Sequence, residues 1–264
     1  MIRVRRYQRF GNNVVQLINA IHIAETLNVK TIVFPIAMKE FTTNRIPICI
    51  RGPAYIGEDI SGIFYFDEEN MKQFPELTML SFVEKQRIAT QYLLPILASS
   101  PPPDTIDFEN TLCIHIRSGD LFSDPKPHCL YAQPPLDYYT KIIATHPEKK
   151  VYVVYEDDAN PVVNALRGVC PSGTFASLSL PETIGVFLKA NYIVCGFGTF
   201  IYSIATMNKV FQTIYVPLSM KKEYYKSEPR VVYYDLPGYI TRWKNTEEQR
   251  NIMLIYNGSV VCKN

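Results

Sequence analysis

The residues LCIHIRSGD, at positions 112–120, join an apolar run to an arginine, a glycine and an aspartate. They begin as an apolar run of the kind that forms a buried β-strand. Side chains alternate between the two faces of a strand, so His115 and Arg117 share one face. Ile114 and Ile116 share the other face, which is apolar. An arginine at the carboxyl end of such a strand, followed by a Ser-Gly turn and an aspartate, predicts a place that holds an anion.

Short apolar strands and amphipathic helices alternate on the carboxyl side of this stretch. The predicted strands lie at 112–117, 151–155, 192–195 and 213–217, and the predicted helices at 135–145, 160–166, 181–189 and 200–207. This alternation predicts a parallel sheet with crossover helices on its faces. The tail adds a strand at 231–234 and a helix after residue 243, where Thr246 and Gln249 have the spacing of a capping box.

The first hundred residues predict a smaller α/β unit. A helix is expected from directly after Gly11-Asn12 to residue 27, and a short buried strand at 31–35. Residues 36–80 are predicted to be mostly irregular, with a short strand at 64–66, and residues 82–97 to be helical up to a break at Pro95. The proline-rich segment 99–104 is the predicted linker. We therefore expect an N-terminal lobe at 1–100 and a C-terminal lobe with the tail at 101–264.

Composition indicates a soluble globular protein. Of the 264 residues, 47% are hydrophobic and 20% charged, which is enough to bury a core. The 27 basic and 25 acidic side chains nearly cancel, so we expect no nucleic-acid partner, and any anion must be held locally. No window reaches the roughly 20 apolar residues of a membrane span, and the basic N-terminus lacks the apolar stretch of a signal peptide. These features predict a cytoplasmic protein.

The six cysteines predict free thiols in a reducing compartment. They show no CxxC pair and no spacing typical of a zinc site. Cys113 and Cys195 lie in apolar runs, where a thiol behaves as a small hydrophobic group, so we expect both to be buried.

Two of the predicted loops carry residues suited to a phosphorylated ligand, which binds beyond the carboxyl ends of strands in an open parallel sheet. In the loop before the first helix, Gly11 permits a close backbone approach, and Asn12 either caps the helix or contacts the ligand. In the quoted stretch, Arg117 either binds a phosphate or pairs with Asp120. His115 either orients the ligand or is a satisfied core histidine.

A third loop and an acidic pair complete the predicted site. The sequence GFGTF at 196–200 lies between a strand and a helix, where its glycines either cradle a phosphate or merely end the strand. Thr199 is a candidate helix cap or phosphate ligand. Asp157 and Asp158 follow another strand, where a carboxylate could bind a base or ribose, or cap a helix. The pair lacks the spacing of a DxD motif, so no metal is expected.

In this order the motifs resemble the fucosyltransferase-like superfamily of glycosyltransferases. The matching residues run in register from about 9 to 217 and are Gly11-Asn12, His115-Ile116-Arg117-Ser118-Gly119-Asp120, Asp157-Asp158 and Gly198-Thr199-Phe200. The fuller stretch 115–139 is most similar to glycosyltransferases of algae and of the large viruses that infect them. The resemblance implies a GT-B fold, with two Rossmann-like lobes of parallel sheets and a C-terminal helix packing back across them. It also implies inverting, metal-independent sugar transfer from a nucleotide-sugar donor to an oligosaccharide or glycoprotein acceptor, without a cofactor.

The resemblance also assigns roles to donor-binding residues. Arg117 would grip the donor β-phosphate and act in catalysis, with His115 and the Gly11-Asn12 backbone beside the diphosphate. Asp157 or Asp158 would read the base. Gly198, Thr199 and Phe200 would complete the donor pocket.

The general base and the donor sugar stay open. Asp120 is the carboxylate nearest the motif and the first candidate for the base, with Glu58, Asp59 and Asp124 as alternatives. The family usually carries a second arginine where this chain has Ser118, and the third motif reads GFGTF instead of a serine-rich sequence. These departures leave the donor open between GDP-fucose, UDP-xylose and a similar nucleotide sugar.

A second class of function also stays open, namely a non-catalytic glycan- or nucleotide-binding module of the same fold. An NAD-dependent enzyme is disfavoured, because no GxGxxG follows an early strand. The first lobe is short, so a partner or a homodimer could complete the acceptor site.

Overall fold

The computed structural model describes residues 1–218, 230–258 and, as backbone, 261–263. The chain divides into unit 1, formed by residues 1–99 and 199–207, and unit 2, formed by residues 100–198 and 208–264. The sequence places residues 199–207 in the second lobe, whereas the structure assigns them to unit 1. The reason is that the helix they form packs on the first helix of the chain.

Unit 1 is built around a four-stranded sheet. Its elements are β1 (Ile2–Val4), α1 (Phe10–Leu27), β2 (Thr31–Val33), β3 (Arg45–Pro47), β4 (Ile60–Gly62), α2 (Asp67–Gln73), α3 (Phe82–Ile88) and α8 (Thr199–Ala205). The strand order is β3-β2-β1-β4. β1 pairs in parallel with β2 and β4, and β3 runs antiparallel to β2. The helix α1 crosses from β1 to β2, which makes a parallel connection possible.

The strand predicted at 64–66 is wrong, because the sheet pairing ends earlier, in β4, and the aromatic residues follow it. The prediction that 82–97 is helical up to a break at Pro95 agrees with a helical segment that ends at Ile96, although α3 itself ends at Ile88. The segment widens into a π-helical turn at Ala89–Leu93 and then tightens into a 3-10 turn at Leu94–Ile96. A proline supplies no backbone N–H, which favours such a change of hydrogen bonding before the chain stops being helical.

Unit 2 is built around a seven-stranded sheet. Its elements are β5 (Thr111–Ile116), α4 (Asp120–Ser123), α5 (Leu136–Ala144), β6 (Lys150–Tyr155), α6 (Pro161–Val169), β7 (Thr174–Ser177), α7 (Leu180–Lys189), β8 (Tyr192–Cys195), β9 (Thr213–Pro217), β10 (Val231–Asp235), α9 (Glu247–Ile255) and β11 (Val261–Lys263). The order is β7-β6-β5-β8-β9-β10-β11, and every pair but the last is parallel. The six parallel strands therefore follow the Rossmann order 3-2-1-4-5-6. The predicted α/β class with parallel sheets is confirmed.

The quoted stretch supplies the central strand of this sheet. All six residues of β5 are buried, which is typical of a parallel strand with helices on both faces. Cys113 and Cys195 are buried free thiols, as predicted, and burial raises the pKa of Cys113 to about 12. Cys49 and Cys129 are free but exposed.

The tail closes the core of unit 2. The helix α9 packs on α5 and α6, and Thr246 caps it by accepting a hydrogen bond from the backbone N–H of Gln249 at 3.2 Å. Trp243 is buried, and its Nε1 donates to the carbonyl oxygen of Leu121 at 2.8 Å. Among the residues that the structure describes, no helix combines the length and apolarity needed to cross a bilayer.

Candidate functional site

The strand order of unit 2 reverses between β5 and β8. From β5 the chain continues to β6 on one side, and from β8 it continues to β9 on the other. The loops that follow the two strands therefore diverge, and in open α/β sheets ligands bind at such a switch point. Here the loop after β5 is Arg117–Gly119, and the loop after β8 is Gly196–Gly198.

Arg117 is held at the switch point by three contacts. Its side chain is only 15% exposed, and Nη2 lies 3.5 Å from Oδ1 of Asp120, which is 42% exposed. The guanidinium carbon lies 5.2 Å from the centre of the Tyr131 ring. A Cβ atom at Gly198 would lie 2.8 Å from Nη1, so the guanidinium lies against the backbone of that glycine. A long contact to a half-exposed carboxylate is weak, so the guanidinium keeps donors for an anionic ligand.

The loop between α4 and α5, whose sequence predicts an ordered segment that could line an acceptor site, supplies aromatic rings here. Tyr131 stacks on His128, with ring centres 4.4 Å apart, and lies 5.2 Å from Phe197 of the loop after β8. Gln133 is almost fully buried, and its Nε2 donates to the carbonyl oxygens of Tyr131 and Phe197, each at 3.1 Å. A Cβ at Gly196 would lie 2.4 Å from Oε1 of Gln133 and 3.2 Å from Cδ of Pro134, so the loop after β8 packs closely against residues 133–134.

Asp157 is turned toward the loop that carries Arg117. Its Oδ1 accepts hydrogen bonds from Oγ of Ser118 and, at 2.9 Å, from the backbone N–H of Ala159. Its Oδ2 accepts from the backbone N–H of Gly119 at 3.2 Å. Ser118 thus uses its hydroxyl to bind this carboxylate. Both carboxylate oxygens of Asp157 are engaged in these hydrogen bonds, so Asp157 positions the loop.

Asp158 is placed differently from its neighbour. It is 61% exposed, and its Oδ1 lies 3.7 Å from Nη2 of Arg167. An exposed ion pair at that distance contributes little stability. Of the two predicted base-reading carboxylates, Asp158 is therefore the one that remains accessible.

We expect Asp157→Ala to destabilise the protein by about 2 kcal/mol, because it leaves the Ser118 hydroxyl and the Gly119 N–H without their acceptor. Asp158→Ala is the matched control, with an expected change below about 0.5 kcal/mol. Urea unfolding of both variants measures the difference. Equal losses would contradict the positioning role.

His115 is a buried neutral imidazole. It is 6% exposed, and its ring lies edge-on to Phe187 of α7, with centres 5.7 Å apart. Burial, helped by the charge of Arg117, lowers its pKa to about 3. At neutral pH His115 therefore carries no positive charge, so it can interact with a ligand through hydrogen bonds but not as a cation.

Because His115 is buried and neutral, we predict that folding stability depends on pH. The unfolded chain takes up a proton near pH 6.5, whereas the folded chain does so only near 3, so folding stability falls as pH drops below 6.5. The loss approaches about 1.4 kcal/mol per pH unit. Urea unfolding gives the free energy of unfolding of wild type and of His115→Gln. Between the folded and unfolded pKa values of His115, the difference between the two proteins should change with pH. A constant difference would contradict the burial of a neutral ring.

The remaining predicted site residues lie in unit 1, at the contact between α1 and α8. They are Gly11, Asn12, Thr199 and Phe200. The helix α1 begins at Phe10, with Arg9 at the N-cap, so Asn12 lies inside the helix and the predicted cap is wrong. A Cβ at Gly11 would lie within 2.6–2.8 Å of atoms of Thr199, so that residue fills the space and leaves none there for a phosphate. The Thr199 hydroxyl donates to Oδ1 of Asn12 at 2.6 Å. Phe200 packs edge-on against Phe10.

The alternative base candidates are dispersed. Asp59 binds the terminal amine of Met1 at 2.8 Å and Arg3 at 3.0 Å, at the amino end of the sheet of unit 1. Asp124 accepts from the backbone N–H of Lys126 at 2.7 Å, and Glu58 is exposed. Asp120 is the candidate that contacts Arg117.

No protein-family model and no curated protein matches this chain. Function must therefore be inferred from the residues at the switch point of unit 2.

Proposed function

We propose that the protein is a glycosyltransferase, which binds a nucleotide sugar at the switch point of unit 2 and transfers the sugar to a glycan acceptor. The observation that carries the proposal is the position of Arg117. It follows the central strand of a Rossmann-ordered sheet, largely buried, against the glycine backbone of the neighbouring loop. That is where a diphosphate binds in open α/β sheets.

The chemistry of Arg117 suits a leaving diphosphate. Negative charge accumulates on the diphosphate as the glycosidic bond breaks, and a fixed guanidinium stabilises that charge. Its planar donors match phosphate oxygens, and it stays charged at every working pH. The resemblance to the fucosyltransferase-like superfamily implies an inverting reaction, and the charge of Arg117 at the diphosphate takes the place of a metal in this proposal. In the proposed GT-B architecture, unit 2 is the donor lobe and unit 1 the acceptor lobe.

The general base is proposed to be a carboxylate. A histidine whose pKa is about 3 accepts protons poorly near neutral pH, which argues against His115. Asp120 is half exposed and lies beside Arg117, and it is proposed to accept the proton of an acceptor hydroxyl that attacks the sugar from the face opposite the diphosphate.

The test is thermal stabilisation by GDP, UDP, GDP-fucose, UDP-xylose and UDP-galactose, with and without EDTA. We expect one nucleotide and the corresponding nucleotide sugar each to stabilise the protein by about 2.7 kcal/mol at a concentration about 100 times Kd. EDTA should have no effect. Arg117→Ala should lose the stabilisation, whereas Arg242→Ala, an exposed arginine of unit 2, should keep it. No shift with any nucleotide would contradict the proposal.

A non-catalytic nucleotide- or glycan-binding module is the second candidate. It is favoured by the engagement of Asp157 with Ser118 and Gly119, because a module that only binds needs Arg117 and a fixed loop but no carboxylate that accepts a proton. The two candidates differ in turnover, because a module binds the nucleotide sugar without releasing the nucleoside diphosphate.

A further inference from the structure

The two connections that follow β1 and β2 in unit 1 concentrate positive charge. Arg5, Arg6 and Arg9 lie between β1 and α1, and Lys39 and Arg45 lie in or at the end of the connection from β2 to β3. All five are exposed, and we call them the basic rim. The first turn of α1 contains no acidic residue. Within residues 1–218 and 230–258, neither Arg5 nor Arg6 takes part in an ion pair.

The basic rim follows one edge of the sheet. β1 and β2 are parallel, so the residues after them lie at the same edge. Arg45 begins β3 and pairs with Val33, the last residue of β2. The rim therefore lies at the carboxyl edge of the parallel strands, which is where open α/β sheets bind ligands.

Side-chain amides of α1 hydrogen-bond to the loop at residues 5–9, which carries the three arginines of the basic rim. Gln8 adopts φ 55°, a strained value for a residue other than glycine, and its Oε1 accepts from Nδ2 of Asn12 at 2.6 Å. Oδ1 of Asn13 accepts a loop N–H at 2.9 Å, and Nε2 of Gln16 donates to the carbonyl oxygen of Arg5 at 2.8 Å. The amide-bearing residues of α1 are between 0% and 8% exposed. A strained loop held by buried polar groups indicates a preorganised binding element.

Aromatic rings lie beside this loop. Tyr7 is 5.0 Å from Tyr65 and 6.0 Å from Phe66 between ring centres, and these two are 5.1 Å apart. Phe66 is 44% exposed. We call these three residues the aromatic triad. Their faces suit the apolar face of a sugar ring. Glu68 and Glu69 follow in the first turn of α2, where they complement that helix's own dipole.

We propose that the basic rim and the aromatic triad bind an anionic saccharide. Its carboxylate, sulfate or phosphate group pairs with Arg5 and Arg6, and a sugar ring lies on the triad. Identification of this saccharide as the acceptor rests on the proposed function, whereas the binding itself does not.

The first experiment titrates the full chain with a heparin-derived hexasaccharide, a hexagalacturonate, neutral maltohexaose and a single-stranded oligonucleotide. We expect one anionic saccharide to bind at least about tenfold more tightly than maltohexaose. Arg5→Gln with Arg6→Gln should weaken that binding at least about tenfold. Arg51→Gln, at an exposed arginine of unit 1 beyond the opposite end of β3, should leave it unchanged.

Equal affinity for neutral and anionic saccharides, or tighter binding of the oligonucleotide, would overturn the inference. The same variants are then tested for nucleotide stabilisation. If the double arginine variant is still stabilised by nucleotide, the saccharide and the nucleotide bind at separate sites. If that stabilisation is lost, the basic rim belongs to the donor site and the inference is overturned. Absence of any nucleotide shift in the wild type defeats the proposed glycosyltransferase function, while the saccharide titration still decides the inference on its own.

Discussion

Gly198→Ala should weaken nucleotide binding at least about tenfold, close to the effect of Arg117→Ala. Gly198 has φ 141°, which L residues rarely adopt, and an added Cβ would lie 2.8 Å from Nη1 of Arg117. The end of the Arg117 side chain must then shift to clear the Cβ, which we expect to misplace its donors relative to the proposed diphosphate. Thermal stabilisation by the selected nucleotide, followed by calorimetric titration, measures the loss.

Gly238→Ala separates strain from displacement. Gly238 also has positive φ, at 70°, but its added Cβ would meet no atom within 4 Å. We expect this variant to be destabilised by about 1 kcal/mol and to bind nucleotide normally. Normal binding by Gly198→Ala would contradict the placement of Arg117 in the site.

Gly185→Ala should destabilise unit 2 by about 3 kcal/mol. An added Cβ on α7 would lie 1.9 Å from the carbonyl oxygen of Ser100. That backbone cannot easily move, because the N–H of Ser100 donates to the carbonyl oxygen of Pro181 at 3.0 Å. Trp243, the single tryptophan of the chain, is buried in unit 2, so its fluorescence reports the urea unfolding.

Gly168→Ala in α6 is the control for Gly185→Ala. Its Cβ would meet nothing within 4 Å, so alanine should stabilise the helix by about 0.5–1 kcal/mol. A change below about 0.5 kcal/mol in Gly185→Ala would mean that the chain at Ser100 does not lie against α7. The contact also shows that the predicted linker at 99–104 is partly packed, since Pro102 is buried as well.

Strands with long apolar runs were predictable from the sequence. β8 and β9 begin and end where the pattern predicts, and β5 is shifted by one residue. β1, β3 and β4 have three residues each, too few to show alternation, and the sequence does not predict them as strands. Such short segments become strands because their neighbours pair with them, which is a tertiary effect.

The candidate site was predictable only in part. Arg117 directly follows a strand, so its position follows from local pattern. Its contacts with Gly198 and Tyr131 depend on strand order, which single-sequence periodicity does not reveal. The Asn12–Thr199 hydrogen bond likewise depends on α8 packing on α1. The burial of His115 follows from helices on both faces of β5, whereas alternation alone indicates one polar face.

The most direct test of the central claim is the release of GDP or UDP from the matching nucleotide sugar, measured with and without a mixture of acceptor oligosaccharides. We predict release by the wild type, acceleration by acceptor with a matching mass increase on one oligosaccharide, and loss of both in Arg117→Ala. Tight nucleotide-sugar binding without release under any condition would contradict the transferase and leave a binding module.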